Sequence, residues 1–324
     1  MKTVGIIGGS GYTGGELLRL VLQHPNLVLE FVYSTTRPKT PLSDTHQDLL
    51  GTTTLNFTDQ INLDVDIVFL CLGHGNSSLF IEQHEFSKET VIIDLSNDFR
   101  LSADRNFRDR TFVYGLPELQ KNEIKNAKSI ANPGCFATAI QLALLPLADS
   151  KKLKNTVHIN ATTGSTGAGV GLSYTSHFTW RNNNLSWYKP FTHQHLDEIR
   201  ESLNTVQGDD TEVIFLPQRG DFTRGIFATA YTSFDGSIED ALSLYTNYFN
   251  EHPFTHISTQ EIALKQVINS NNCFIHLHLH QGILLITSVI DNLIKGASGQ
   301  ALQNLNLIMG WEERLGLELK TNIF

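Results

Sequence analysis

The chain has 324 residues, 40% hydrophobic and 18% charged, the profile of a folded globular protein long enough for two cores of ordinary size. Its net charge is −9 and no block of lysine or arginine stands out. That excludes nucleic acid and an anionic membrane as main partners, and any anionic ligand must be held locally.

The first 95 residues alternate strand-like and helix-like segments, as a doubly wound sheet requires. Residues 4–8 read as a short strand that begins almost at Met1, without the apolar core of a signal peptide. No run approaches the roughly 20 continuous apolar residues of a membrane span, so a cytoplasmic location is expected. Residues 11–23 read as a helix and 27–33 as a second strand; the apolar runs 66–72 and 91–95 read as strands buried on both faces.

Between the first strand and the first helix lie Gly8, Ser10, Gly11, Tyr12, Thr13 and Gly14. A glycine turn that opens a helix lets a pyrophosphate approach the backbone and meet the unpaired N–H groups of the first turn. The spacing is GxxGxxG rather than the commoner GxGxxG. A NAD site usually carries an acidic residue at the end of the second strand, to hold the ribose 2′-hydroxyl. Here Ser34, Thr36 and Arg37 stand in that place, hydroxyls and a cation that favour the 2′-phosphate of NADP; the alternative for Arg37 is an ordinary solvated loop charge.

The three cysteines, Cys71, Cys135 and Cys273, are odd in number and include no CxxC pair, which argues against a disulfide framework or a zinc cluster. Cys71 and Cys273 lie inside apolar runs and read as small buried hydrophobes. Cys135 follows Pro133-Gly134 and opens a helical run, where the free N–H groups and the positive end of the dipole favour a thiolate. It is the candidate nucleophile.

From residue 154 the texture changes to strands with turns, at 156–161, 212–216, 226–234, 273–280 and 283–290, with a hairpin turn at Gln281-Gly282 and helices near 197–204 and 237–250. A helix that begins near His195 places Glu198 at i+3 on the same face, a base with an orienting carboxylate. Spacing does not bring this pair to Cys135, and most of the 13 histidines must be structural or exposed. His276, His278 and His280 share one strand face with no carboxylate or thiol at useful spacing, so no metal is expected. Residues 297–309 carry apolar side chains at helical spacing.

The expected fold is an α/β Rossmann-like NADP-binding domain followed by an α+β domain with a mixed, largely antiparallel sheet. Six segments besides the glycine loop, residues 94–101, 114–118, 132–138, 164–169, 193–199 and 291–301, together resemble the N-acyl-gamma-glutamyl-phosphate reductases, relatives of aspartate-semialdehyde dehydrogenase. The resemblance implies that residues 1–134 with 297–324 form the NADP-binding domain and residues 135–296 the catalytic and dimerisation domain.

The resemblance implies an NADPH-dependent reductive dephosphorylation in arginine biosynthesis. The Cys135 thiolate attacks an N-acyl-gamma-glutamyl phosphate, inorganic phosphate leaves, and the thioester is reduced to the semialdehyde while His195 exchanges protons. It also implies cofactor contacts at Ser165, Gly167, Asn292, Gly299 and Gln300, substrate contacts at Ser96, Arg100, Tyr114 and Asn132, and a homodimer or homotetramer. The chain departs from the family pattern at Arg181 and Arg219, two arginines expected to face the acyl group. They raise an N-succinyl substrate beside the N-acetyl one, since arginine suits an extra carboxylate. The alternatives are an N-acyl-aminoadipyl-phosphate reductase of lysine biosynthesis and a non-catalytic NADP-binding regulatory protein.

Overall fold

Runs such as Ile67–Leu70, apolar at every position, are stable only in a sheet covered on both faces, and the first unit of the chain is built around such a sheet. The computed structural model describes residues 1–324 and divides them into two units. The first is Met1–Pro133 with Ala297–Glu318; the second is Gly134–Gly296 with Leu319–Phe324.

The first unit contains β1 (Lys2–Ile7), β2 (Leu27–Tyr33), β3 (Ile67–Leu70), β4 (Val91–Asp94), a small hairpin of β5 (Asn106–Phe107) and β6 (Arg110–Thr111), β7 (Val113–Tyr114) and β8 (Ser129–Ala131). Its helices are α1 (Tyr12–Gln23), α2 (Leu42–Thr45), α3 (Ser77–Gln83) and α4 (Pro117–Lys125), joined by the last helix of the chain, Gly299–Ile308. Six strands form one parallel sheet in the order β2-β1-β3-β4-β8-β7. The chain moves from β1 outward to β2 and then back across to β3, so the order reverses beside β1. Open α/β sheets bind ligands at such a switch point, outside the carboxyl ends of the strands, and the Gly8–Gly14 loop lies there.

The second unit contains α5 (Cys135–Asp149), β9 (Val157–Thr163), α6 (Phe178–Arg181), β10 (Ser186–Trp187), α7 (His195–Gln207), β11 (Val213–Arg219), β12 (Ile226–Ser233), α8 (Ile238–Phe249), β13 (Thr255–Ser258), β14 (Cys273–His280) and β15 (Ile283–Ile290). Its seven-stranded sheet has the order β10-β11-β9-β12-β15-β14-β13. The β9/β11 and β13/β14 pairs are parallel and the remaining pairs antiparallel. Gln281 (φ 46°) and Gly282 (φ 76°) close the β14–β15 hairpin with two left-handed residues, the backbone of a type I′ turn.

Burial alternates along these strands, buried then half-exposed through β9 and β12, so one face of the sheet carries the core. The helix α5 packs on that face and is buried at every position from Phe136 to Ala148. A helix apolar on all sides needs cover all round, and α7 and α8 supply it, with the Tyr245 hydroxyl donating to the Ala143 carbonyl at 2.5 Å. Residues 319–324 group with this unit rather than the first. Asn269 Nδ2 donates to the Lys320 carbonyl (3.0 Å), and the Asn322 N–H to the Ile268 carbonyl (2.9 Å).

Candidate active site

The three thiols differ as their settings require. Burial pushes the Cys71 thiol up to about 12, with the nearby Asp94 charge adding to the rise, and Cys273 is fully buried on β14. Cys135 is half-buried and stands as the first residue of α5, directly after Gly134 in extended conformation. The first N–H groups of a helix have no intrahelical acceptor, so this thiol sits beside backbone donors at the positive end of the dipole.

Sixty residues further on, α7 begins at His195 and runs beside α5, held by Gln141 Nε2, which donates to the Glu198 carbonyl (3.2 Å) and to Ser202 Oγ (3.3 Å). Glu198 Oε2 accepts the N–H of Gly134 at 3.1 Å, and Oε1 lies 4.0 Å from His195 Nε2. The carboxylate therefore binds the residue preceding the thiol and lies at ion-pair distance from the imidazole, a pair that is charged when the ring is protonated. Gly134 must be glycine for this packing: a Cβ there would lie 2.3 Å from His195 Nε2. Gly296 plays a similar part on another side, where a Cβ would come within 2.8 Å of the Cys135 Cβ.

Two aromatic side chains that spacing did not single out complete the cluster. His193 Nδ1 accepts the backbone N–H of His195 (3.2 Å), which fixes the neutral tautomer with its proton on Nε2, and its ring meets that of His195 edge-on at 4.6 Å. Tyr188 lies 5.7 Å from His193 by ring centroids, with the Arg219 guanidinium 4.6 Å over its face. Burial pushes the Tyr188 phenol upward, the Cys135 charge adds to the rise and Arg219 opposes it, so the hydroxyl stays protonated. The alternation His193-Gln194-His195 was the available signal for His193. Nothing local marks Tyr188.

Arg181 is engaged differently from Arg219. Its guanidinium donates to the carbonyls of Thr175, Asn184 and Arg219 and to Ser186 Oγ, at 2.6–3.4 Å, so it stitches residues 175–186 to the end of β11. Ser165 and Gly167 lie on a 3-10 turn bound to residues 222–225 through Ser165 N–H to the Phe222 carbonyl and Thr166 Oγ1 to the Thr223 carbonyl. Asn292 fastens the same loop, accepting from Gly225 N–H (2.6 Å) and donating to Thr166 Oγ1 (3.1 Å). Beside it the wholly buried Asp291 accepts from Arg224 through both oxygens (3.0 and 3.2 Å) and from the N–H groups of Asn269, Leu293 and Ile294. No spacing in the sequence points to this hub.

In the first unit, Gly8 takes φ +78° with the Cys71 carbonyl 2.7 Å from where a Cβ would be, and Gly14 packs on the Gly9 backbone. A Cβ at Gly11 would meet nothing within 4 Å, so the loop presents bare backbone to open space. Tyr12 and Thr13 open α1, and Ser298 Oγ donates to the Thr13 carbonyl (2.8 Å), which brings Gly299 and Gln300 at the start of the last helix to this loop. At the end of β2, Ser34 is buried with its hydroxyl 3.3 Å from Thr36 Oγ1, and Arg37 is exposed.

Ser96, Arg100 and Asn132 are all buried within the first unit. Ser96 Oγ donates to Asp94 Oδ2 (2.7 Å), Arg100 Nε to the Asn132 carbonyl (2.9 Å) and Asn132 Nδ2 to the Ala297 carbonyl (3.1 Å). These contacts hold the strand ends and the segment leading to Pro133; Tyr114 is half-buried on β7. On β14, His278 and His280 are exposed and His276 Nδ1 donates to the Ser258 carbonyl (3.0 Å).

Residues 3–127 match the family described as "Semialdehyde dehydrogenase, NAD binding domain", and residues 135–292 match "Semialdehyde dehydrogenase, dimerisation domain". Two proteins described as N-acetyl-gamma-glutamyl-phosphate reductase, from Flavobacterium johnsoniae and Christiangramia forsetii, are 58% and 56% identical to it, over 100% of this chain and 100% of each relative. A crystal structure of aspartate semialdehyde dehydrogenase with NADP from Candida albicans matches 95% of this chain and 98% of its own at TM-score 0.70 and 13% identity, a likeness of fold alone. With more than half of its residues identical to such relatives from end to end, the chain belongs to the N-acetyl-gamma-glutamyl-phosphate reductase family of the semialdehyde dehydrogenases.

Proposed function

We propose that this enzyme converts N-acetyl-gamma-glutamyl phosphate to the corresponding semialdehyde with NADPH, through a thioester on Cys135. The observation that carries the reading is the joint at Gly134: one residue before a helix-start thiol, its N–H binds Glu198 and its missing side chain admits His195. The Cys135 sulfur attacks the acyl carbon, and the C–O bond to phosphate breaks, releasing inorganic phosphate. NADPH, when bound, supplies the hydride that reduces the thioester. Collapse of the resulting thiohemiacetal breaks the C–S bond, frees the aldehyde and returns the thiolate. His195, oriented by Glu198, exchanges the protons of these steps, and the N–H groups at the start of α5 stabilise the oxyanion.

The bare-backbone loop at Gly11 and the left-handed Gly8 fit a dinucleotide pyrophosphate at the helix start. Ser34, Thr36 and Arg37, with no carboxylate among them, support NADP over NAD. The acetyl group follows the names of the relatives, and the succinyl reading keeps only Arg219, since Arg181 donates to three carbonyls and a hydroxyl. A cytoplasmic homo-oligomer is part of the proposal, supported by the dimerisation-domain match; no helix is long and apolar enough to cross a membrane.

The test is the reverse reaction. Phosphate-dependent reduction of NADP by N-acetylglutamate semialdehyde, followed by absorbance, is expected with wild type and absent in Cys135→Ser. No turnover by wild type, or full turnover by Cys135→Ser, removes the reading. NADH equal to NADPH, with Arg37→Ala silent, removes the NADP assignment.

A further inference from the structure

The segment between β2 and β3 carries one histidine that the proposed chemistry does not use. His46 follows α2, whose Leu42 is buried, and precedes the buried Leu49, so two apolar anchors fix the arm on either side of it. Its ring reaches the nucleotide loop. Nε2 lies 2.7 Å from the carbonyl oxygen of Gly9, and because a carbonyl only accepts, Nε2 carries the proton. The ring also fills the space above the first turn of α1: a Cβ at Gly15 would lie 2.6 Å from His46 Nδ1 and 2.7 Å from Cε1. Gly15 has no unusual φ, so the ring, not the backbone, is what requires glycine there.

The Gly9 peptide is held on three sides. A Cβ on Gly9 would strike Val32 at 2.2 Å, Gly14 packs directly on its backbone, and His46 holds its oxygen. In a trans peptide the carbonyl and the following N–H point in opposite directions. Holding the Gly9 oxygen toward His46 therefore aims the Ser10 N–H the opposite way, as a fixed donor in the loop that precedes α1.

We infer that His46 is a positioning residue for nucleotide binding: it orients the Gly9–Ser10 peptide so that the loop is organised for a pyrophosphate before the ligand arrives. The inference rests on the dinucleotide reading of the Gly8–Gly14 loop. Preorganisation of this kind acts on affinity rather than on the chemical step.

NADPH binding to the full-length protein, followed by cofactor fluorescence, tests it with His46→Ala, His46→Gln, Gly15→Ala and the double variant, each checked for native circular dichroism. His46→Ala is expected to weaken binding about tenfold, the scale of one hydrogen bond, raising the KM for NADPH in proportion while kcat at saturation is kept. His46→Gln, which restores an N–H donor, recovers most of the affinity. Gly15→Ala displaces the ring and matches His46→Ala, and adding it to His46→Ala costs nothing more, because the space is then empty. Affinity within twofold of wild type in His46→Ala overturns the inference. So does a loss that His46→Gln does not recover, or additive losses in the double variant. Failure of wild type itself to bind NADPH removes the nucleotide reading and the inference with it.

Discussion

Replacing Gly134 by alanine isolates the contact on which the catalytic proposal turns. The backbone there, φ −69° and ψ 150°, is one that alanine adopts freely, so no conformational strain enters. The new methyl would lie 2.3, 2.5 and 2.6 Å from Nε2, Cε1 and Cδ2 of His195. Ordinary contact needs about 3.5 Å, so the ring must withdraw by about 1 Å. Misplacement of a reacting group on that scale costs ~10²-fold in rate, or about 2.7 kcal/mol of barrier. Overpacking costs about 1–3 kcal/mol of stability, partly offset by about 0.4–1 kcal/mol from the stiffer unfolded chain. The N–H that binds Glu198 is retained. The assay is kcat for the reverse reaction, with Tm measured on the same preparation. A variant with kcat within threefold of wild type refutes the placement of His195 as the proton-transferring group.

Glu198→Ala leaves the Gly134 N–H without its buried acceptor, so unfolding titration is expected to show a loss of about 1–3 kcal/mol together with a fall in kcat. Glu198→Gln keeps an acceptor oxygen there; it should recover the stability but not the rate, and recovery of both would remove the charge from the mechanism. Asp94 is raised from 3.8 to about 6 by burial, against the hydroxyls of Ser77 and Ser96, the Ser96 N–H and the Arg100 charge. A raised carboxyl favours the folded state below pH 3.8 and loses that contribution as pH climbs through 6. Asp94→Asn should therefore gain about 3 kcal/mol relative to wild type between pH 3 and 8, and parallel stability curves would refute the shift. Asp291→Ala removes the buried acceptor shared by the Arg224 guanidinium and three backbone N–H groups; a loss of about 3–5 kcal/mol is expected by chemical denaturation, and a loss under 1 kcal/mol would show the hub to be dispensable.

Local chemistry made much of the architecture legible from residue order alone. The apolar runs at 67–70 and 91–94 mark strands covered on both faces, and the alternation in 273–280 and 283–290 with Gln281-Gly282 between them marks a hairpin. Pro133-Gly134 before an apolar helical run singled out Cys135, because a helix start needs only neighbours in sequence to form. The i, i+3 relation of His195 and Glu198 is local in the same sense.

What spacing does not carry is which groups meet across long stretches of chain. Glu198 binds an N–H 64 residues away, Arg219 covers Tyr188, and His46 reaches back 37 residues to Gly9, each brought there by the packing of apolar faces that bear no mark of their polar cargo. Arg181 shows the same limit from the other side: a cation read as a ligand for substrate has its donors placed by the fold on carbonyl oxygens. Residue order determined the elements and the thiol. Only tertiary packing decided the partners, because a buried hydrogen bond is satisfied by whatever group the fold delivers to it.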